Sequence, residues 1–465
     1  MKTRFRVSRR SFLQHSAVSG AALVSGFSLL HARAVIGQVS RVDNPLGPLR
    51  PTRDQNTGLN LLELPEGFSY RTFGWTEDMM SDGIPTPAMH DGMAVISQEG
   101  NTLHLIRNHE LGGAGPAFGS GITNYDPRAQ GGCTALAVDA RTGELISSHV
   151  ALSGTVRNCA GGPTPWGTWL TCEETVAGPG EIEDEKPQNY TNTHGWVFEV
   201  DPTGTIPARP IKGMGRFWHE AVAVDPETGI VYETEDRSTG GFYRFVPHQP
   251  GQLHQGGVLE MMAVEGLPDS RRGVSSRVGE KLDVSWVKIE DPEETHSDEN
   301  DSDTLGVFAQ GKEKGGTTFA RVEGCFYIDS KIYFTCTDGG EAQMGQLWRY
   351  WPETSEVELI YESNSPEALA MPDNITVSQS GLIILCEDSD RIPQRMMGLN
   401  TAGQLFEIAR NNVQLQGEHN NFQGDFREQE WAGTSFSPDG RFLFVNIQTP
   451  GITFAIQGPW DRMNA

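Results

Sequence analysis

The sequence predicts an all-β fold, a β-propeller whose blades are antiparallel hairpins. Short strand-like runs bounded by turn residues recur along the chain, one hairpin pattern keeps returning, and no segment sustains a helical period. The runs are Leu103 to Arg107, Gly195 to Val200 ahead of Asp201-Pro202-Thr203-Gly204, Ile230 to Thr234, Gly241 to Val246, and Cys325 to Ile328 followed by Lys331 to Cys336. They continue with Gln346 to Tyr350, Val357 to Tyr361, Ile375 to Val377 with Leu382 to Cys386, Gln404 to Ile408, and Thr434 to Ser437 turning through Pro438-Asp439-Gly440 into Phe442 to Ile447. β-Branched and aromatic residues fill the runs, while Gly, Asp, Asn and Pro supply the reversals between them. The repeating unit, apolar strand, Asp- or Gly-bearing turn, apolar strand, appears at Val138 to Leu145, Val222 to Tyr232, Phe326 to Phe334, Ile375 to Leu385 and Phe436 to Val445. Similar hairpins repeated over one chain suit radial closure, which leaves only protected edges. A large sandwich or a β-helix is the next reading, and spacing alone does not count blades.

Composition narrows the class further. The chain has 465 residues with 54 Gly, 27 Pro and 37% apolar residues, which excludes collagen, coiled coil and wholesale disorder. Its net charge of -25 argues against nucleic-acid or anionic-membrane partners, which need a basic footprint, and favours cation binding. Residues 1–34 hold six of the cations and no acid, so that segment is a separate object. It reads Ser8-Arg9-Arg10-Ser11-Phe12-Leu13-Gln14, then an apolar stretch from Ala17 to Leu30, then Ala32-Arg33-Ala34. A basic region, a short apolar region, a small-x-small site and paired arginines together predict a signal for the twin-arginine translocation machinery, and a periplasmic or secreted product. The apolar stretch falls short of the ~20 residues that span a bilayer. The expected organisation is therefore a signal peptide over 1–34 and one catalytic domain over 35–465, interrupted near 290–303 by an acidic insertion. That insertion lacks the spacing of a defined calcium loop and reads as a solvated surface segment.

Six cysteines, Cys133, Cys159, Cys172, Cys325, Cys336 and Cys386, are widely spaced without a CxxC pair. Twin-arginine export carries folded chains, so buried thiols or a metal thiolate are expected rather than a disulfide scaffold. Cys159 stands out because it opens the run Asn158-Cys159-Ala160-Gly161-Gly162-Pro163-Thr164-Pro165-Trp166-Gly167-Thr168-Trp169-Leu170-Thr171-Cys172-Glu173-Glu174. Strand neighbours point to opposite faces, so only one of Glu173 and Glu174 faces a given site. Other acid-bearing strand ends are Arg107-Asn108-His109-Glu110, His219-Glu220, Glu235-Asp236-Arg237, Arg321-Val322-Glu323-Gly324 and Cys386-Glu387-Asp388. Carboxylates delivered to one rim or axis cannot all stay ionised without a counter-cation. Hard oxygen donors favour calcium or ferric ions, and a thiolate tilts a site toward a transition metal. His90, His109, His219 and Asp91 read equally as ordinary structural groups or as neighbours of that site, and Ser437 reads as a turn residue.

The Asn158 to Glu174 block, together with Arg107 to Glu110, Arg321 to Gly324, Asp373-Asn374-Ile375, Cys386 to Asp388 and Phe436 to Gly440, resembles the PhoX family of secreted alkaline phosphatases. The resemblance runs over nearly all of the mature chain. It implies a six-bladed propeller, a monomeric phosphomonoesterase acting on small phosphate esters, and a cluster of Fe3+ and Ca2+. By motif it implies Cys159, Glu174, Glu235 and Glu323 as iron ligands, with Arg321 facing the phosphate. Glu110, Asn158, Asp373, Glu387 and Asp388 follow as further metal ligands, and Cys159 and Arg321 carry the catalytic burden. Two other readings fit the acids: a calcium-dependent esterase or lactonase, and a non-catalytic binding propeller with structural calcium.

Overall fold

The computed structural model describes residues 39–180, 182–183, 186–296 and 304–464. The export signal expected over 1–34 lies outside them, as does the half of the acidic insertion that follows His296. The described chain is nearly all β and forms a propeller. Six strands line its axis: His90–Glu99, Asn158–Pro163, His219–Val224, Val322–Ile328, Pro372–Val377 and Trp431–Phe436. Each packs against the next, and Trp431–Phe436 returns to His90–Glu99, closing a ring. Every axial strand pairs antiparallel with the strand that follows it, and further strands extend each sheet outward. The third and fourth sheets are also joined at their outer edges, where Lys281–Asp283 pairs with Glu356–Glu358.

The circle is closed by chain segments far apart in sequence. Ser69–Phe73 adds to Ile452–Gln457, so an early strand completes the last sheet. The Arg107 guanidinium of the first sheet crosses that seam, donating to Gly74 O at 2.9 Å and Thr453 Oγ1 at 2.8 Å. Between sheets the core is aromatic, as where Phe242 stacks on Phe334 at 4.4 Å and Phe319 meets Trp348 edge-on. Each such ring removes on the order of 150–250 Å² from water.

All six axial strands share an irregularity near their opening. In each, one more residue is spent on the axial strand than on its partner: between His90 and Met93, Asn158 and Gly161, His219 and Val222, Val322 and Cys325, Pro372 and Ile375, and Ala432 and Ser435. Such a bulge bends the strand and re-aims the side chains it carries. Neighbouring axial strands approach so closely there that a Cβ on Gly324 would lie 2.5 Å from Asp373 O, and one on Gly433 2.6 Å from Asp91 O. The turn chemistry around the bulges is equally regular. The amide following each second strand donates to the carbonyl just before the axial strand: Glu110 to Met89, Glu174 to Arg157, Asp236 to Trp218, Thr337 to Arg321, Asp388 to Met371 and Gln448 to Glu430. Met89, Arg157, Arg321 and Met371 take positive φ there, a conformation that non-glycine residues, bulky ones above all, seldom adopt.

Two expectations are corrected. A helix does form, over Gly306–Glu313, burying Val307, Phe308 and Gly311 against the third sheet; at eight residues with no capping side chain it leaves no periodic signature. Three axial strands also begin three residues earlier than the sequence suggests, Val322 against Cys325, Pro372 against Ile375 and Trp431 against Thr434. The six cysteines are all buried and free. No described helix is long and apolar enough to cross a membrane.

One buried ionic contact predicts a pH response. His194 Nδ1 lies 2.6 Å from Glu173 Oε1 and its Nε2 3.5 Å from Asp126 Oδ2. Burial lowers its pKa, but the two carboxylates outweigh that and raise it to about 9. The folded-state value thus exceeds the unfolded one, so this stabilisation is complete below about pH 6.5 and lost as pH rises through about 9, on the order of 3 kcal/mol. Thermal melts from pH 6 to 10 should show a decline that His194→Gln flattens, and an equally steep decline in that variant would refute the assignment.

Candidate metal centre

The bulges decide which side chains reach the axis. Their first residues are Asp91, Cys159, Glu220, Glu323 and Asp373, and in the last sheet Glu430 stands just before the axial strand. A second tier comes from residues that follow the second strands, Glu110, Glu174, Asp236, Asp388 and Gln448. Ligand atoms of Asp91, Glu110 and Glu430 lie within 4.8 Å of one another, as do those of Glu220, Glu323 and Asp373, and those of Asp373, Asp388 and Glu430. Because Asp373 and Glu430 each belong to two groups, seven carboxylates form one continuous set. All but Asp388 are buried. Gln448 Nε2 knits one end, donating to Asp91 Oδ2 at 2.9 Å, to Glu110 Oε2 at 2.7 Å and to Glu430.

Arg321 caps the other end from its positive-φ position, φ 46°. Its Nε lies 3.0 Å from Asp236 Oδ1, while its Nη2 is 2.5 Å from Glu323 Oε1 and 3.9 Å from Asp388 Oδ2. Three sheets thus orient one guanidinium over the acids. Cys159 Sγ sits in the wall, 3.3 Å from His219 O and 3.7 Å from Glu220 O. Burial, then Glu220 and Glu174, push its thiol well above the usual range, so a thiolate there requires a cation beside it.

The residues singled out from sequence divide by strand alternation. Cys159, Glu323, Asp373, Glu110 and Asp388 take part in the axial set or adjoin it, and Glu174 is among the charges that bear on Cys159. Asn158, Glu235 and Glu387 do not; they occupy the neighbouring register position and turn into the blades. Asn158 accepts from Thr155 Oγ1 at 2.5 Å and donates to Thr171 Oγ1 at 3.0 Å. Glu235 accepts from the Gly241 amide and from Tyr243 Oη at 2.6 Å, with Arg237 at 3.6 Å. Glu387 is held by Arg395 through two contacts of 2.7 and 2.5 Å and by the Ala370 amide. Glu173, the equivalent of Glu235 and Glu387 in the second sheet, likewise anchors Val156, Gly195 and Trp196 amides. Glu235, expected as an iron ligand, and Asn158 and Glu387, expected as further metal ligands, thus lie outside the axial carboxylate set, engaged with partners inside the blades.

Sequence reasoning passed over Glu220 and Glu430 as ligands and left Asp91 ambiguous. The signal was present in the recurring acid-then-small pairs Asp91-Gly92, Glu220-Ala221 and Glu323-Gly324. The histidines have structural roles. His90 Nε2 donates to Pro87 O, His109 Nδ1 to Ala88 O and His219 Nε2 to Gly215 O, and burial lowers the pKa of all three, keeping them neutral. Ser437 stays in its turn, bonded to Asp439 and to the Phe442 amide. In the acidic insertion, Glu290 pairs with Lys288 and Lys314 on the surface.

The chemistry of this donor set fits metal ions. Convergent, buried carboxylates repel one another, and multivalent cations compensate them where lone arginines do not suffice. Comparison with known proteins agrees. The chain matches the family model described as alkaline phosphatase PhoX over residues 45–148 and 140–451. The solved structure of Pseudomonas fluorescens PhoX, in complex with the transition-state analogue vanadate, shares the fold with a TM-score of 0.62 at 16% identity, covering 92% of this chain and 99% of that one. A gluconolactonase from Xanthomonas campestris lies further away, with a TM-score of 0.42, 12% identity and coverage of 91% and 99%. No curated protein matches the sequence.

Alternation makes a sharp prediction. Glu220→Gln should lower the metal-to-protein ratio measured by elemental analysis while leaving the melting temperature of the metal-stripped protein close to wild type. Glu235→Gln should do the reverse, destabilising by about 1–3 kcal/mol through its orphaned partners while metal content holds. Equal metal loss in both would contradict the register described here.

Proposed function

This chain belongs to the PhoX family of alkaline phosphatases, a metal-dependent phosphomonoesterase, and from that premise we propose that its axial acids and Cys159 hold the metals while Arg321 receives the phosphoryl group. The single observation that carries this reading is the continuous set of seven carboxylates with a guanidinium at one end. A phosphate monoester is a dianion, and a protein of net charge -25 repels it unless local charge is reversed. When bound, the metal ions polarise the phosphoryl group and lower the pKa of a coordinated water. The remaining work falls to side chains. Arg321 is pre-oriented by Asp236, so its fork can take two phosphoryl oxygens in place of Glu323 and Asp388 without reordering. Neutral His90, His109 and His219 have their N–H groups committed to backbone carbonyls and serve to position the strand openings rather than to transfer protons.

We assign Fe3+ to the side that offers Cys159 with Glu220, Glu323 and Glu174, because a thiolate mixed with carboxylates suits a transition metal. Ca2+ is assigned to the oxygen-only groups around Asp91, Glu110, Glu430, Asp373 and Asp388. The substrates are small phosphate monoesters, residues 35–465 form one monomeric catalytic unit, and the Arg9-Arg10 signal directs it through the twin-arginine machinery to the periplasm or beyond.

Cys159→Ala should lose iron and p-nitrophenyl phosphate hydrolysis together, on the order of 100-fold or more in activity, since even indirect supports of a metal site commonly cost 10–100-fold. Full activity without iron would remove the thiolate from the reaction. Replacing both Arg9 and Arg10 with Lys should retain precursor in the cytoplasm on fractionation, and normal export of that variant would defeat the localisation.

A further inference from the structure

Two cavities flank Arg321 at the mouth of the axis. One of about 590 Å³ is lined by Asp338, Gln343, Met371, Ser389 and Arg391; the other, about 470 Å³, by Arg271, Arg272, Ala320, Asp338 and Gln343. They share Asp338 and Gln343, and the Asp338 carboxylate is 3.9 Å from Arg321 Nη1. Ala320 immediately precedes Arg321, and Met371 lies two residues before Asp373 of the axial set, so both cavities open beside the place where the phosphoryl group would sit. Their sizes suit a bound small molecule.

Each cavity sets arginine among acids, Arg391 beside Asp338 and Asp390 in the first and Arg271 and Arg272 beside Asp269 and Asp338 in the second, so what distinguishes them is guanidinium donors and not net positive charge. Arg391 donates to Pro366 O at 2.7 Å, and Arg272 donates to Arg271 O at 2.6 Å and to Asp338 O at 3.1 Å. These contacts are to backbone carbonyls, and among the described residues neither guanidinium has an ion pair with a carboxylate. The acids nearby are differently placed: Asp269 is bound to Arg271 at 2.7 Å, Asp338 approaches Arg321, and Asp390 adjoins Arg391 in the first cavity. Gln343, on the wall common to both cavities, holds φ 54°, a third positive-φ non-glycine residue at this mouth beside Arg321 and Met371. Arginine forks with spare donors match the paired oxygens of a carboxylate or phosphate.

We propose that these cavities are the leaving-group subsite and that Arg272 and Arg391 select phosphomonoesters whose leaving group bears a second oxyanion. The proposal rests on the phosphatase reading above and adds to it the class of ester preferred. p-Nitrophenyl phosphate, fructose 1,6-bisphosphate and 3-phosphoglycerate separate the possibilities. The first has an uncharged ring, the second offers another phosphate and the third a carboxylate. A generic field acts on each ester according to its total charge and is screened by salt, whereas a contact in the subsite persists, so the ratios are compared at about 0.5 M or higher salt, where the Debye length is only a few ångströms, on the order of 4 Å.

The experiment measures kcat/KM for the three esters in the metal-loaded enzyme and in Arg391→Gln, Arg272→Gln and the double variant. We expect the ratio of each anionic ester to p-nitrophenyl phosphate to fall about tenfold in at least one single variant and further in the double, mainly through KM. A larger fall for the bisphosphate than for the carboxylate identifies phosphate as the second group, and the opposite order identifies carboxylate. Ratios unchanged in all variants overturn the subsite while leaving the phosphatase reading standing. A metal-loaded wild-type enzyme inactive on every ester overturns that reading and the subsite with it.

Discussion

Like charge brought together out of water is the constraint around which this molecule is organised. Seven carboxylates meet on the axis of the ring, six of them buried. At an effective dielectric near 20, neighbouring unit charges at 4 Å repel by roughly 4 kcal/mol, so the folded chain must supply both a rigid frame and compensating cations. The frame is the closed ring, locked where Ser69–Phe73 joins the last sheet and where Arg107 bridges the seam. Compensation within the protein comes from Arg321 and from the Gln448 amide; the larger share is the task of the metal ions on which the family depends.

The bulges connect frame to chemistry. A regular strand would alternate its side chains between the two faces of a blade, but one additional residue at each opening aims Asp91, Cys159, Glu220, Glu323 and Asp373 at the axis. Gly324 and Gly433 let adjacent strands approach, and four positive-φ residues just before the strands bear the strain. The acids one register away have a different use. Glu173, Glu235 and Glu387 tie loop amides and buried cations into the blades, so chemically identical side chains one residue apart divide into site and scaffold.

Much of this was legible in the sequence. Hairpins such as Phe326 to Phe334 and Phe436 to Val445 appear at the expected places, since β-branched and aromatic content with polar turns is a local property. Cys159 and Glu323 are visible because acids and thiols seldom open apolar strands without purpose, and Asp373 through the family resemblance. What escaped detection has one cause. The strand openings are polar and glycine-bearing, so propensity reads them as turns, and the register that separates Glu235 from Asp236 depends on a bulge that no local pattern announces. Glu220 and Glu430 were missed for that reason, and the arginines at the mouth because Arg272 and Arg391 come from different sheets. Functional segments break the local rules that the rest of the chain obeys.

In the proposed reading the mouth completes a gradient of roles from the axis outward, with acids assigned to metals, Arg321 to the phosphoryl group and two cavities to what departs. Whether the axial carboxylates are in fact metal ligands is open to direct observation. Crystals of protein purified from an exporting host, measured at the iron and calcium absorption edges, should show anomalous peaks on the axis, iron beside Cys159 Sγ and calcium among Asp91, Glu110, Glu430, Asp373 and Asp388. An active enzyme whose axis holds no such peak, with these acids paired only to arginine and amide groups, would contradict the account.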